Sequence, residues 1–177
     1  TSVGNSPTFI QRADKVIVEI NTSQPMELVG MHDIFIPENP PARQPLPVTD
    51  CHQRIGTQYM PCDPGKIVAI VPCDITDKTR PLAPIDKVSK AMAAHLIHFL
   101  EKEYGEELPP LQSGVGNVAN AVLAGLVHSR FTNLKVWTEV IQDSMFDLID
   151  AGKLVAISGS SLSPSPDGLI RFHNNID

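Results

Sequence analysis

The sequence contains no run of about 18 apolar residues, so it offers no candidate for an ordinary membrane-spanning helix. Its first twenty residues, TSVGNSPTFIQRADKVIVEI, lack a charged segment leading into an apolar one, so this stretch does not read as a secretory signal peptide. An initiator methionine is also missing and strand-like sequence arrives almost at once, so the expectation is a piece of a longer chain. Positive charge is in deficit, with 14 Lys and Arg against 20 Asp and Glu and a net charge of −6. That argues against a nucleic-acid partner, which calls for a basic surface. Cysteine is scarce and odd in number, as Cys51, Cys62 and Cys73. Three cysteines with no CxxC and no nearby histidine pair make neither a disulfide framework nor a zinc site. No metal is expected, and a reducing compartment suits this usage.

What remains is ample for folding. Hydrophobic residues make up 42% of 177, enough for a core in one domain or in parts of two. Lys15–Asn21 (KVIVEIN) is β-branched and reads as a strand, stopped by turn residues up to Pro25. Residues 27–36 are ambiguous between loop and short strand. Pro37, Pro40, Pro41, Pro45 and Pro47 mark an extended connection. Lys66–Val71 (KIVAIV) predicts a parallel strand buried on both faces. Residues 73–84 read as a linker.

Asp86–Tyr104 has helical periodicity, with Val88, Met92, His95, Leu96, Phe99 and Leu100 on one face and Gly105 as C-cap. His95 on that face reads as a core histidine. A short strand into a turn is expected at Leu111–Gly116, and a small-residue helix at Asn117–Leu126. Lys135–Thr138 reads as a strand and Asp143–Ala151 as a helix closed by Gly152. A further strand, Leu154–Ser158, is ended by Gly159, and Pro164, Pro166 and Gly168 mark a turn region. Strands alternating with helices give an α/β class with mostly parallel sheets and flanking helices.

Two places could carry chemistry. Glu139 falls at or just past the carboxyl end of its strand, where α/β sheets hold ligands. It reads either as a reactive carboxylate or as an exposed charge favourable to the next helix. Gly114-Val115-Gly116 can turn sharply and present backbone N–H groups to an anion, or can be an ordinary tight turn. It lacks the third glycine of a dinucleotide fingerprint and the lysine of a P-loop. Asp143 suits a helix start, Trp137 suits core packing, and Ser160 and Ser161 could touch a ligand.

QSGVGNVANAVLAGL, followed by WTEVIQDSMFDLIDAGK, resembles the acetyl-CoA hydrolase/transferase family. VIVEINTSQPMELVGMHDI, RIGTQYMPCDPGKIVAIV and SGSSLSPSPDGLIRF are similar to further blocks of that family, in the same order. The resemblance implies parts of two class I CoA-transferase-type domains: residues 1–84 from the end of the first, and 85–177 from the start of the second. It implies Glu139 as nucleophile and the backbone N–H of Val115 as an oxyanion-hole donor. Gly114, Val115, Gly116, Asn117 and Val118 become coenzyme A-binding positions. The implied reaction moves coenzyme A between acetyl-CoA or succinyl-CoA and a small carboxylate, or water, through a glutamyl-CoA thioester. Coenzyme A is a substrate, and no permanently bound cofactor is implied. A homodimer of the longer enzyme is implied, mitochondrial in a eukaryote and cytoplasmic in a bacterium. The alternative is a non-catalytic CoA- or nucleotide-binding module, or an inactive piece of such an enzyme.

Overall fold

A computed structural model describes residues 4–175 of the chain. Packing divides them into two units, one holding residues 4–78 with Asn175 and the other residues 79–174.

The first unit opens with a short helix, α1 (Ser6–Arg12), where only strand-like sequence was expected. A proline in its first turn has no N–H to lose there. Strands β1 (Val16–Asn21) and β2 (Ile67–Cys73) then pair in parallel, from Ile17 opposite Ala69 to Asn21 opposite Cys73. The strand β2 runs past its expected end and includes Pro72. Nor is it buried on both faces: in a sheet of two strands, Val68, Ile70 and Val71 stay exposed. The ambiguous stretch 27–36 starts in a single 3-10 turn, Met26–Leu28, and is then loop apart from one antiparallel bridge between Ile34 and Thr57. The carboxylate of Asp33 accepts from the amides of Ile55 and Gly56 beside it. A Cβ on Gly56 would lie 2.2 Å from the Ile34 carbonyl oxygen, so the crossing requires glycine.

The second unit is a sheet covered by helices. Helix α2 (Lys87–Glu103) starts where the sequence indicates, because Asp86 accepts a 2.7 Å hydrogen bond from the Ser89 amide. That bond holds the Asp86 carboxyl below its ordinary value. The end differs: Tyr104 is the cap in extended conformation, and Gly105 is not left-handed. The inward face also differs. Val88, Met92, His95, Leu96 and Phe99 are exposed, and His95 is no core histidine. Ser89 and Ala93 are buried instead, with Ile97 and Leu100 packed on the core. The reason is steric. Helix α3 (Asn117–Leu126) brings Gly125 against Ile97, where a Cβ would sit 2.4 Å from Ile97 Cδ1. Two helices approach this closely only through small residues, and the bulkier apolar stripe is turned away.

Strand β3 (Leu134–Ile141) is longer than expected at both ends. Leu134, Val136, Thr138 and Val140 are buried, while Trp137 and Glu139 are exposed, the alternation of a strand with one covered face. Helix α4 (Asp143–Asp150) ends at Ala151, and Gly152 is left-handed at φ 66° as a C-terminal glycine should be. Strand β4 (Leu154–Leu162) pairs in parallel with β3, Trp137 opposite Ser158 and Val140 opposite Ser161. It runs straight through Gly159, which does not end it. Helix α5 (Pro166–His173) replaces the expected turn region. Ser165 caps it by accepting from Gly168 N, and Pro166 occupies its first turn, so the start signal was present in the sequence.

The core of this unit is Leu108, Leu123, Leu126, Phe131, Leu134, Val136, Met145 and Leu148. Among the described residues no helix is long and apolar enough to cross a membrane, and all three cysteines are free. Phe131 is fully buried, so Phe131→Ala should cost the second unit about 3–5 kcal/mol. Urea unfolding followed by the fluorescence of Trp137, the lone tryptophan and a member of this unit, reads the shift.

Candidate functional site

The segment before the glycine turn is tied to β3 as a third parallel strand in miniature. Leu111 N donates to Lys135 O at 2.8 Å, and Trp137 N donates to Leu111 O at 2.9 Å. Two residues on, the Thr138 side chain completes the tie. Its hydroxyl donates to Ser113 O at 2.7 Å and accepts from Ser113 N at 3.3 Å. Both Ser113 and Thr138 are buried. Each segment therefore leaves this contact at the same edge, one as Gly114 and the other as Glu139.

The turn that follows is built by one glycine more than the other. Gly116 has φ +144°, a conformation that side chains strain to adopt, and it caps α3. Gly114 has no positive φ, and a Cβ there would meet nothing within 4 Å. Val115 points outward and is 72% exposed. No side chain caps α3, so its first-turn amides at Asn117 and Val118 have no side-chain acceptor. A helix start of this kind, opening from an extended glycine turn, suits an anionic group. Asn120, one turn in, was not singled out by the sequence. Its backbone N–H donates to Gly116 O, while its side-chain Oδ1 is buried without a hydrogen-bond partner.

Glu139 lies within β3 rather than just past it, and it is exposed. Trp137 shares its face and is not a core residue. The Glu139 carbonyl accepts from Ser160 Oγ at 2.9 Å and from Ser161 Oγ at 3.1 Å. Between them and β3, Gly159 packs so closely that a Cβ would lie 2.7 Å from Ile141 Cγ1. Asp143 does stand in the first turn of α4, but it makes no cap bond there. Its carboxylate accepts from Ser165 N at 2.9 Å and from Ser165 Oγ, joining α4 to the start of α5. Gly168 leaves room for it, since a Cβ would meet Asp143 Oδ1 at 2.1 Å. Arg171 pairs with Asp147 and Asp150 across the same two helices.

In the first unit, burial pushes the His32 imidazole below its ordinary value. Asp50, Cys51 and His52 bring one donor atom each within 4.8 Å of one another on an irregular segment. The expectation of no metal site concerned Cys51, Cys62 and Cys73, and this grouping was not singled out in the sequence. Asp50 Oδ1 already accepts from the His52 amide at 2.8 Å, a bond that accounts for their proximity.

The chain resembles known proteins in sequence and in fold. The acetyl-CoA hydrolase/transferase N-terminal domain model matches residues 1–72. A succinyl-CoA:acetate CoA-transferase of Clostridium kluyveri is 54% identical over the whole chain, which covers 34% of that protein. Acetyl-CoA hydrolases of Neurospora crassa and Yarrowia lipolytica are 49% and 45% identical over 99% of the chain, again covering 34% of each. The chain thus spans about a third of the length of the curated relatives it matches. Among solved structures, RipA from Yersinia pestis superposes with a TM-score of 0.59 at 17% identity, over 92% of this chain and 32% of that one. A likeness at that identity concerns the fold alone. The sequence relationship is far stronger and runs through both units: residues 1–72 match the N-terminal domain of the acetyl-CoA hydrolase/transferase family, and the whole chain is about half identical to a CoA-transferase and an acetyl-CoA hydrolase.

Proposed function

We propose that the protein carrying this chain transfers coenzyme A between an acyl-CoA, acetyl-CoA or succinyl-CoA, and a small carboxylate or water. Glu139 is its nucleophile. The observation that carries this reading is the double hydrogen bond between Thr138 and Ser113, which sets the Gly114–Val118 bend beside Glu139. The activities named for the relatives support the substrate class. In the same reading, residues 1–84 end a first CoA-transferase domain and residues 85–177 begin a second. The complete enzyme is a homodimer, mitochondrial or cytoplasmic according to its source, with neither nucleic acid nor membrane as partner.

The chemistry follows from the groups present. A Glu139 carboxylate oxygen attacks the thioester carbonyl carbon, and the developing oxyanion is met by the Val115 N–H. The carbon–sulfur bond breaks, leaving an acyl-glutamyl anhydride and CoA thiolate. The thiolate then attacks the glutamyl carbonyl carbon, releasing the first carboxylate and leaving CoA on Glu139 as a thioester. An acceptor carboxylate reverses both steps and leaves as the new acyl-CoA. Water in its place returns free Glu139 and CoA, which is net hydrolysis. A carboxylate is a weak nucleophile, so rate must come from positioning and from amides aimed at the oxyanion. Gly114, Gly116, Asn117 and Val118 hold the coenzyme through the backbone of the bend.

Two measurements on the full-length protein test this. Glu139→Gln should abolish transfer and hydrolysis, and hydroxylamine or borohydride trapping of the wild type with acetyl-CoA should mark residue 139 by mass spectrometry. Turnover by Glu139→Gln, or a mark elsewhere, rejects the nucleophile. CoA binding unchanged in Glu139→Ala with no turnover by the wild type would instead indicate a binding module. Thr138→Val removes the hydroxyl that serves both backbone groups of buried Ser113. It should lower stability by about 1–3 kcal/mol and kcat/KM by roughly ten-fold, with Thr138→Ser close to wild type.

A further inference from the structure

Ser160 and Ser161 are adjacent on β4, yet both hydroxyls donate to one acceptor, the Glu139 carbonyl oxygen, at 2.9 and 3.1 Å. Successive side chains of a strand leave on opposite faces. The two hydroxyls therefore reach the same carbonyl from either side of the sheet. Register puts Ser158 opposite Trp137, Gly159 opposite Thr138 and Ser161 opposite Val140. Ser160 accordingly shares the exposed face with Trp137 and Glu139, and Ser161 shares the covered face with Thr138 and Val140. A carbonyl oxygen has two lone pairs, and a neutral hydroxyl on each is an unusual use of side chains inside a regular ladder.

The position between them is also sterically fixed. Gly159 brings β4 against Ile141 and Thr138 so closely that no larger residue fits without displacement. The peptide after Glu139 is held on its oxygen by two hydroxyls, next to a point where β4 has no room for a side chain against Ile141. Rotation about the Glu139 backbone would swing its side chain away from the Gly114 bend. We propose that Ser160 and Ser161 are positioning residues that fix the Glu139 peptide so that its carboxylate stays in line with the acyl carbon. The proposal rests on the reading of Glu139 as nucleophile.

The test uses the full-length protein, with kcat, KM and single-turnover formation of the residue-139 adduct measured alongside thermal unfolding. Ser160→Ala combined with Ser161→Ala should lower kcat and the adduct rate together by about 10- to 100-fold, while KM for acyl-CoA stays within about two-fold. The paired threonine variants, which keep both hydroxyls, should restore the rate to within about three-fold of wild type. A double-alanine kcat within about two-fold of wild type overturns the proposal. So does a loss that threonine fails to restore, since that marks mere packing. If the double-alanine protein does not fold, the two single alanine variants are judged by the same criteria. Should the adduct map elsewhere or Glu139→Gln turn over, the nucleophile assignment itself has failed. Should residue 139 carry the adduct at full rate without the hydroxyls, only the serine proposal has.

Discussion

The second unit depends on a single side-chain hydroxyl serving two backbone groups. Thr138 lies on the covered face of β3, and its Oγ1 takes both the N–H and the C=O of Ser113. The Ser113 carbonyl takes one further bond, from Gln112 Nε2 at 3.1 Å, and both Ser113 and Thr138 are buried. Leaving one such group unpaired costs more than a formed bond returns, so the contact is hard to trade for an alternative. Its geometric consequence is larger than its energy. The main-chain bonds at Leu111 fix the direction of the incoming segment, and Thr138 fixes where it stops being a strand. The bend therefore begins at a set distance along β3, one residue from where Glu139 emerges.

The far side of Glu139 is organised by a different residue type. Gly159 allows β4 to stay paired with β3 beyond the point where a side chain would have forced them apart. The sheet thus extends to Ile141 opposite Leu162, and Glu139 sits inside a ladder instead of at a frayed end. A group held between paired neighbours has little backbone freedom, which suits a reaction needing alignment more than basicity. Helices α4 and α5 brace this end. The Asp143 carboxylate caps the turn into α5, and Arg171 reaches back to Asp147 and Asp150.

Local chemistry was readable wherever a residue acts on its immediate neighbours. Asp86 starts α2, Gly152 ends α4, and Asn117–Leu126 is helical to the residue. Ser165 and Pro166 announced α5 equally clearly, but the surrounding prolines and glycines drew the reading toward a turn. What periodicity alone could not decide was which of two apolar stripes on α2 faces inward. That choice depends on Gly125, a residue on another helix. The same holds for Trp137: strand alternation fixes which residues share its face, and only the packing of Leu134 and Val136 says which face is covered. At the candidate site, Glu139 and the glycine turn stood out by residue type. Ser160 and Ser161 were legible as hydroxyls that could touch a ligand, but their bonds to the Glu139 carbonyl were not, because these depend on the register of two strands.

Charge makes the dependence on backbone amides sharper. Three basic side chains of the second unit are already committed to protein oxygens. Arg130 reaches the carbonyls of Glu101 and Tyr104, Lys153 those of Ser129 and Phe131, and Arg171 two aspartates. With a net charge of −6, the chain as a whole does not attract an anionic ligand. Backbone N–H dipoles act at short range and cost no reorganisation when charge develops, which suits a site in such surroundings. An exposed carboxylate is hydrated, and hydration blunts a nucleophile. In the proposed reading, water has to leave the face shared by Trp137 and Glu139 before attack. If Glu139 is the nucleophile proposed above, an acyl-CoA seated on that face would expel water, and binding would be linked to activation of the carboxylate.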